Sequence, residues 1–426
     1  MLVQFTLKNF CSFRDEHTIS FLASNDKNLR DDNTFQVNSK TRLLRTAVLY
    51  GANASGKTNI FKALHFFLQF AVTSGPHMQK GDRIGINPFI LSKSTVNEPS
   101  FFELVFYHAV EGREPIRYRY GLQLSQDHVI EEYLYAVNNL KEVMLFYREG
   151  QKIECSLTNF KEGLKVPRDT VRENASFLSV CAQTNGEIAG RIITYFRVIG
   201  IFSGNEEFPP IAMYMKPNDE MHARIINFLH FADLQIDDYQ KRKLPVDFAG
   251  IADPEFRDFL KSKMPDGYSE KLFFGHPLYD GNEKIGIQYI PEEEESTGTN
   301  KLFSYSSVIL DVLSKGGVLF ADEFDSSLHP LIVENIIKLF NSPKDNPHNA
   351  QLVISCQSVH IMTNKLFRRD QIWFCEKDQH GASDLYSLFD FDEPVRKDAS
   401  YNKNYLKGKY GAIPAIDEIR LHMGEV

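Results

Sequence analysis

Gly51-Ala-Asn-Ala-Ser-Gly-Lys-Thr58 follows the apolar run Thr46-Ala-Val-Leu-Tyr50 and leads into Asn59-Ile-Phe-Lys-Ala-Leu-His-Phe-Phe67. The spacing, GxxxxGK[ST], is that of a phosphate-binding loop, in which glycines let the backbone turn successive N–H groups inward around an anion. The apolar run predicts a buried strand, and the stretch from Thr58 to Ala71 predicts a helix. The positive end of that helix's dipole adds to the anion site. The expected ligand is a nucleoside triphosphate, held by Gly51, Asn53, Ala54, Ser55, Gly56, Lys57, Thr58 and Asn59. Lys57 would reach the β- and γ-phosphates, and the Thr58 hydroxyl would ligate Mg2+.

Such a loop needs a magnesium-holding carboxylate at the end of another strand. The segment Gly316-Gly-Val-Leu-Phe-Ala-Asp-Glu-Phe-Asp-Ser-Ser-Leu-His-Pro330 supplies one, because the apolar run Val318–Ala321 closes on Asp322-Glu323. Asp322 would hold the metal through water, and Glu323 would polarise the attacking water as general base.

The 426 residues, 42% hydrophobic and 24% charged, suit a soluble globular protein of two or three domains. The net charge of -8 reads as spread along the chain and argues against broad, sequence-blind adhesion to nucleic acid. No apolar run reaches membrane-spanning length, and Met1–Phe10 is too short and polar for a signal peptide, so a cytoplasmic protein is expected. Cys11, Cys155, Cys181, Cys356 and Cys375 form no CxxC pair and are expected as reduced thiols.

Asp322–Pro330 resembles the Walker B and D-loop of the ABC-type ATPases that include SMC, RecF and OLD proteins, and more narrowly the bacterial defence group called AbiL or RloA. Three further stretches carry the resemblance: Phe5–Phe21 to the first strands of RecF-like and SMC-like heads, Glu295–Leu313 to the signature loop and its helix, and Tyr405–Ile416 to the "GRYGAIP" element of the narrower group. It covers residues 1–110 and 290–426 well and the middle poorly. The resemblance implies an α/β fold, an ABC-type ATPase head with a P-loop NTPase core and an antiparallel β subdomain, plus a small, partly helical insert. It also implies ATP hydrolysis and a head-to-tail homodimer in which Ser296, Gly298 and Thr299 of one chain close over the γ-phosphate held by the other. Those three residues at a predicted helix start form a second anion site on physical grounds as well. The group implies a conformational switch in antiphage defence that controls a separately encoded effector, commonly a nuclease. The alternative is a RecF- or SMC-like ATPase acting on DNA in repair or chromosome maintenance; the acidic balance and the missing heptad repeat weigh against it.

Some positions depart from the ABC pattern. His329 stands where the D-loop of a transporter subunit ends in Asp. The switch histidine falls on Gln357, whose amide can donate to a γ-phosphate oxygen but carries no titratable proton, so γ-phosphate sensing is expected to survive and turnover to be slow; His360 is the other candidate. For the Q-loop glutamine, which helps to hold magnesium, Gln183 at the end of the predicted strand Ser176–Ala182 is one candidate and Glu103 its rival.

The expected boundaries are 1–190 for the lobe with the phosphate loop, 191–290 for the insert, and 291–426 for the lobe with signature, Walker B and switch strand. Ser24–Thr41 is polar and turn-rich and reads as an exposed loop. Asp390–Glu393 with Glu376 is too closely spaced for a TOPRIM-type nuclease site, and the cationic stretch Lys397–Lys409 reads as solvated.

Overall fold

A computed structural model of the chain describes residues 1–108, 114–138, 141–202, 219–391, 395–396 and 398–414. Parts of two expected elements, Asp392-Glu393 and Lys397, therefore lie outside the described residues, as do Ala415 and Ile416. Strands are numbered β1 (Leu2–Lys8), β2 (His17–Ser20), β3 (Thr34–Gln36), β4 (Arg42–Leu44), β5 (Thr46–Tyr50), β6 (Ser100–His108), β7 (Ile116–Leu124), β8 (Val129–Asn138), β9 (Lys141–Glu149), β10 (Lys152–Cys155) and β11 (Ile199–Phe202). They continue with β12 (Asp238–Pro245), β13 (Tyr268–Asp280), β14 (Glu283–Pro291), β15 (Val318–Ala321), β16 (Gln351–Ser355), β17 (Ile372–Lys377) and β18 (Ser383–Ser387). The main helices are α1 (Lys57–His77), α2 (Phe177–Gln183), α3 (Glu187–Arg197), α4 (Asp219–Phe231), α5 (Pro254–Lys263), α6 (Thr297–Lys315), α7 (Pro330–Asn341) and α8 (Tyr401–Leu406).

The chain divides into two units, Met1–Asn205 with Val312–Val426, and Glu206–Asp311. The insert thus begins at 206 rather than 191 and ends at 311 rather than 290. The reason is physical: α3 packs on α1 and α2, and β11 joins the sheet beside β15, so both belong to the head.

The head is built around two large sheets with α1 between them, and β3 and β4 pair as a small separate sheet. One sheet is antiparallel, in the order β10-β9-β8-β7-β6-β1-β2. The other runs β11-β15-β16-β5-β17-β18, parallel except for β18. Strands β5, β15 and β16 are buried along their whole length, as parallel strands covered on both faces should be. Helix α7 lies against β5 and β16 and buries Val333, Ile336, Ile337 and Phe340. Helix α1 spans the gap between the sheets: Phe61 meets Phe320 of β15 at 5.7 Å, and Phe67 meets Phe5, Phe102, Tyr120 and Phe196 at 5.5–6.2 Å. Ring pairs at these separations contribute beyond their buried area.

Two expectations are corrected here. Ser176–Ala182 is helical, not a strand. The Ser176 hydroxyl caps α2 by accepting from Ser179 N–H, and the buried Glu132 carboxylate accepts from Phe177 N–H (2.7 Å) and Leu178 N–H (3.0 Å). A short apolar run fits strand or buried helix equally, and the cap decides. Ser24–Thr41 is not simply exposed, since Asp26, Asn33, Thr34 and Phe35 are buried. The buried Arg368 guanidinium donates to the carbonyls of Asp26 (2.7 Å) and Asn28 (2.8 Å), which satisfies backbone that a polar loop would otherwise turn to water.

The insert is a β12-β13-β14 meander whose hairpin turns at Gly281 (φ 59°), as the Asp280-Gly281 pair predicts. Tyr239, Leu272 and Phe274 are buried on one face of this sheet, with Tyr239 and Phe274 against Phe303 of α6. The charge is not spread evenly: residues 206–311 hold 20 acidic and 11 basic side chains, so the insert carries the chain's net negative charge and the head is close to neutral.

Replacing Phe67 by Ala should destabilise the head by about 3–5 kcal/mol, seen as a lower thermal unfolding temperature. Phe256→Ala, at a site 52% exposed, should leave that temperature unchanged.

Candidate functional site

The loop between β5 and α1 is shaped by backbone that most residues avoid. Ala54 (φ 60°) and Gly56 (φ 117°) are both in the left-handed region. Alternation of right- and left-handed residues turns consecutive N–H groups to one side, forming an anion nest. The loop is held from behind. The Ser383 hydroxyl donates to the Ser55 carbonyl (2.6 Å) and pairs with the Ser12 hydroxyl (2.7 Å), the Cys375 thiol donates to the same Ser55 carbonyl (3.2 Å), and Asn59 Nδ2 donates to Ser12 Oγ (2.8 Å). A Cβ at Gly51 would overlap the Cys375 carbonyl, and one at Gly56 would strike Ser383 and Ser12.

Lys57 reaches back over the loop and donates to the carbonyls of Gly51 (2.7 Å) and Ala52 (3.0 Å). Burial lowers its pKa from the ordinary lysine value, and Cys375, Asp322, Glu323 and Asp325 nearby oppose that shift. The Ser55 hydroxyl is buried with no hydrogen-bond partner. A partly desolvated ammonium and an orphaned hydroxyl in one loop suit an oxyanion ligand.

Across a cleft of about 280 Å³ lined by Asn53, Ala54, Ser55, Gly56, Lys57, Thr58 and Asn59 stand Asp322, Glu323, Gln357 and Lys377. Sheet order explains this. β16 lies between β5 and β15, so the chain ends after the phosphate-loop strand, the switch strand and the acidic strand open side by side. Ser355, the last residue of β16, ties two of them together. Its hydroxyl donates to Asp322 Oδ1 and accepts from Glu323 N–H (2.8 Å), while its carbonyl accepts from Phe324 N–H (3.0 Å). Those bonds hold Glu323 at φ 45°, a conformation that costs about 1 kcal/mol or more for a residue with a side chain. Asp325 ties in the switch turn by accepting from Gln357 N–H (3.0 Å) and Ser358 N–H (2.6 Å).

The structure thus brings together the loop residues, Asp322, Glu323 and Gln357. It separates Gln183 from them. The Gln183 carboxamide lies near Gly75 at the far end of α1, eighteen residues along the helix from Lys57, or about 27 Å at the helical rise. Gln183 therefore cannot share a magnesium ion with Thr58. Glu103 is also elsewhere, accepting from Arg119 (3.0 Å) and Tyr133 (2.5 Å) across the antiparallel sheet. His360 is exposed and does not line the cleft, whereas Gln357 does. His329 caps α7, its Nδ1 accepting from Leu331 N–H (3.3 Å). In the insert unit, Ser296 caps α6: its hydroxyl accepts from Thr299 N–H (3.1 Å) and pairs with the Thr299 hydroxyl (2.9 Å). Sequence reasoning missed Ser12, Ser355, Asp325, Cys375, Ser383 and Lys377. Only Ser355 carried a signal, as a polar residue closing an apolar run.

Thr58, Asp322 and Glu323 in one cleft fit a magnesium ion, which accepts few protein ligands and keeps water and phosphate oxygens for the rest. Strand, phosphate loop, helix and an acidic strand end facing one cleft define a P-loop nucleotide-binding domain. The chain belongs to the family described as "AAA domain, putative AbiEii toxin, Type IV TA system", which matches residues 47–363. It is similar to the SMC head domain from Thermotoga maritima, with 14% identity over 91% of this chain and 98% of that one, and a TM-score of 0.38. It is likewise similar to an Smc head domain with an extended coiled coil from Pyrococcus furiosus, bound to the C-terminal domain of ScpA (12% identity, 96% and 98% covered, TM-score 0.38). A third similar structure is an Smc head with a coiled coil and joint from Pyrococcus yayanosii (11% identity, 96% and 99% covered, TM-score 0.41). No curated protein matches the chain. Among the described residues, no helix is long and apolar enough to cross a membrane.

Gly51→Ala should displace β17 from the loop and destabilise the head by about 1–3 kcal/mol, measured as a lower thermal unfolding temperature.

Proposed function

We propose that this chain binds and slowly hydrolyses ATP, and that the nucleotide state switches a homodimer that controls a separately encoded effector, a nuclease, in antiphage defence. The observation that carries the reading is the cleft itself, in which an anion nest, a buried lysine, an acidic pair and a glutamine face one another. The loop N–H groups and Lys57 bind the triphosphate. Thr58 and Asp322 would hold magnesium, which supplies charge neutralisation at the phosphates. Glu323 takes a proton from the attacking water. Gln357 donates its amide to the γ-phosphate, and Asp325 fixes the turn from which it does so. Without a titratable switch residue the site senses the γ-phosphate well and turns over slowly.

Ser296, Gly298 and Thr299 sit at the N-terminal end of α6, where the helix dipole favours an anion, and they would close over a second chain's γ-phosphate by giving up the Ser296–Thr299 cap. The family description includes a toxin of a Type IV toxin–antitoxin system, which supports a two-component arrangement. Closure of two heads on ATP would then reposition the inserts and expose or release the partner's binding surface.

Lys57→Ala should abolish ATP binding in a direct titration; normal affinity in that variant would remove the phosphate-loop assignment. Glu323→Gln should keep ATP affinity, lower phosphate release by about 100-fold or more, and trap an ATP-bound dimer on size exclusion. An unchanged hydrolysis rate would take Glu323 out of the base role. A tagged chain expressed with its native neighbouring genes should retain a second protein in stoichiometric amount. A bare dimer that binds duplex DNA would favour the RecF- or SMC-like role instead.

A further inference from the structure

The cleft holds a second lysine to which the mechanism above gives no role. Lys377 closes β17 and lines the cleft together with the phosphate loop. β17 runs parallel to β5 with Phe374 level with Tyr50, so the chain leaves β17 beside the loop. Side chains alternate along a strand, which puts Cys375 and Lys377 on one face. On that face the Cys375 thiol donates to the Ser55 carbonyl, and Ser383, the register partner of Lys377, donates to the same oxygen. Lys377 is thus fixed against the loop through its backbone, while its side chain is exposed.

The carboxylates on either side of it are committed elsewhere. Glu376 accepts from the Tyr386 hydroxyl (2.9 Å), and Asp378 accepts from His380 N–H and Ala382 N–H (2.8 Å each) within its own turn. Among the described residues, Lys377 has no ion-pair partner. It adds an uncompensated positive charge to a cleft already built for an anion.

Sheet order says which part of the ligand that charge meets. Asp322, Glu323 and Gln357 emerge from β15 and β16 on one side of β5, and Lys377 emerges from β17 on the other. A polyphosphate whose γ-phosphate lies toward the acidic pair and the glutamine carries its α-phosphate on the Lys377 side. We propose that Lys377 binds the α-phosphate end of the nucleotide, so that it holds nucleoside di- and triphosphates alike and sets affinity without sensing the γ-phosphate. This rests on the nucleotide reading above.

The test is calorimetric titration of the full chain with ADP and with a non-hydrolysable ATP analogue. Lys377→Ala should weaken both by the same factor, roughly tenfold, as expected for one charge-assisted contact. Lys377→Arg, which keeps the charge, should restore most of the affinity, and thermal unfolding should be unchanged in both variants. Undiminished affinity of Lys377→Ala for both nucleotides overturns the proposal. A loss confined to the triphosphate also overturns it, because it would put Lys377 at the γ-phosphate. Lys57→Ala, titrated alongside, separates the two readings. If it binds both nucleotides normally the nucleotide site itself is wrong; if it loses both while Lys377→Ala binds normally, only the Lys377 assignment fails.

Discussion

The backbone at Gly51 passes so close to the Cys375 carbonyl that a side chain there would overlap it. That approach couples the phosphate loop to β17, and through Ser383 and Ser12 to β18 and the β1–β2 turn. A loop that presents its N–H groups to a ligand cannot use them to bond itself, so something else must hold it in shape. Here the holding groups are carbonyl and hydroxyl contacts on the side away from the cleft. The anion nest is therefore preformed by the sheet, and the helix that follows is positioned by its aromatic packing between the two sheets.

The opposite wall is organised around Ser355. One hydroxyl orients Asp322 and fixes the backbone of Glu323, while Asp325 from the same segment secures the turn that carries Gln357. Hydrogen bonds to charged groups contribute about 1.5–3 kcal/mol each, enough to offset the left-handed backbone at Glu323. A change at Gln357 thus reaches the acidic pair through three short links. Under the proposed function, that linkage would couple hydrolysis to γ-phosphate sensing.

Much of this was legible in the sequence where composition and spacing determine local structure. Thr46–Tyr50 and Val318–Ala321 are strands at the expected positions, the helix expected over Thr58–Ala71 runs longer, from Lys57 to His77, and Asp322 and Glu323 face the loop. The failures have distinct causes. Ser176–Ala182 is a short, mostly apolar run that fits strand or helix, so its helical state depends on the Ser176 cap and on Glu132, a residue remote in sequence. The insert boundaries moved because β11 pairs with β15, a partner more than a hundred residues away. Ser24–Thr41 looked solvent-exposed because the Arg368 guanidinium that satisfies its carbonyls lies at the other end of the chain. Cys375 and Ser383 carry no local signal at all, since only the parallel register of β17 with β5 brings them to the loop.

We propose that this cleft takes a nucleoside triphosphate and that binding it pairs two heads. Native mass spectrometry of the intact 48.9 kDa chain, with and without Mg2+ and ATP, tests both parts at once. A monomer without nucleotide and, with it, a dimer that carries one ATP per chain is the expected result. A chain that stays monomeric and gains no nucleotide mass at saturating ATP would contradict it.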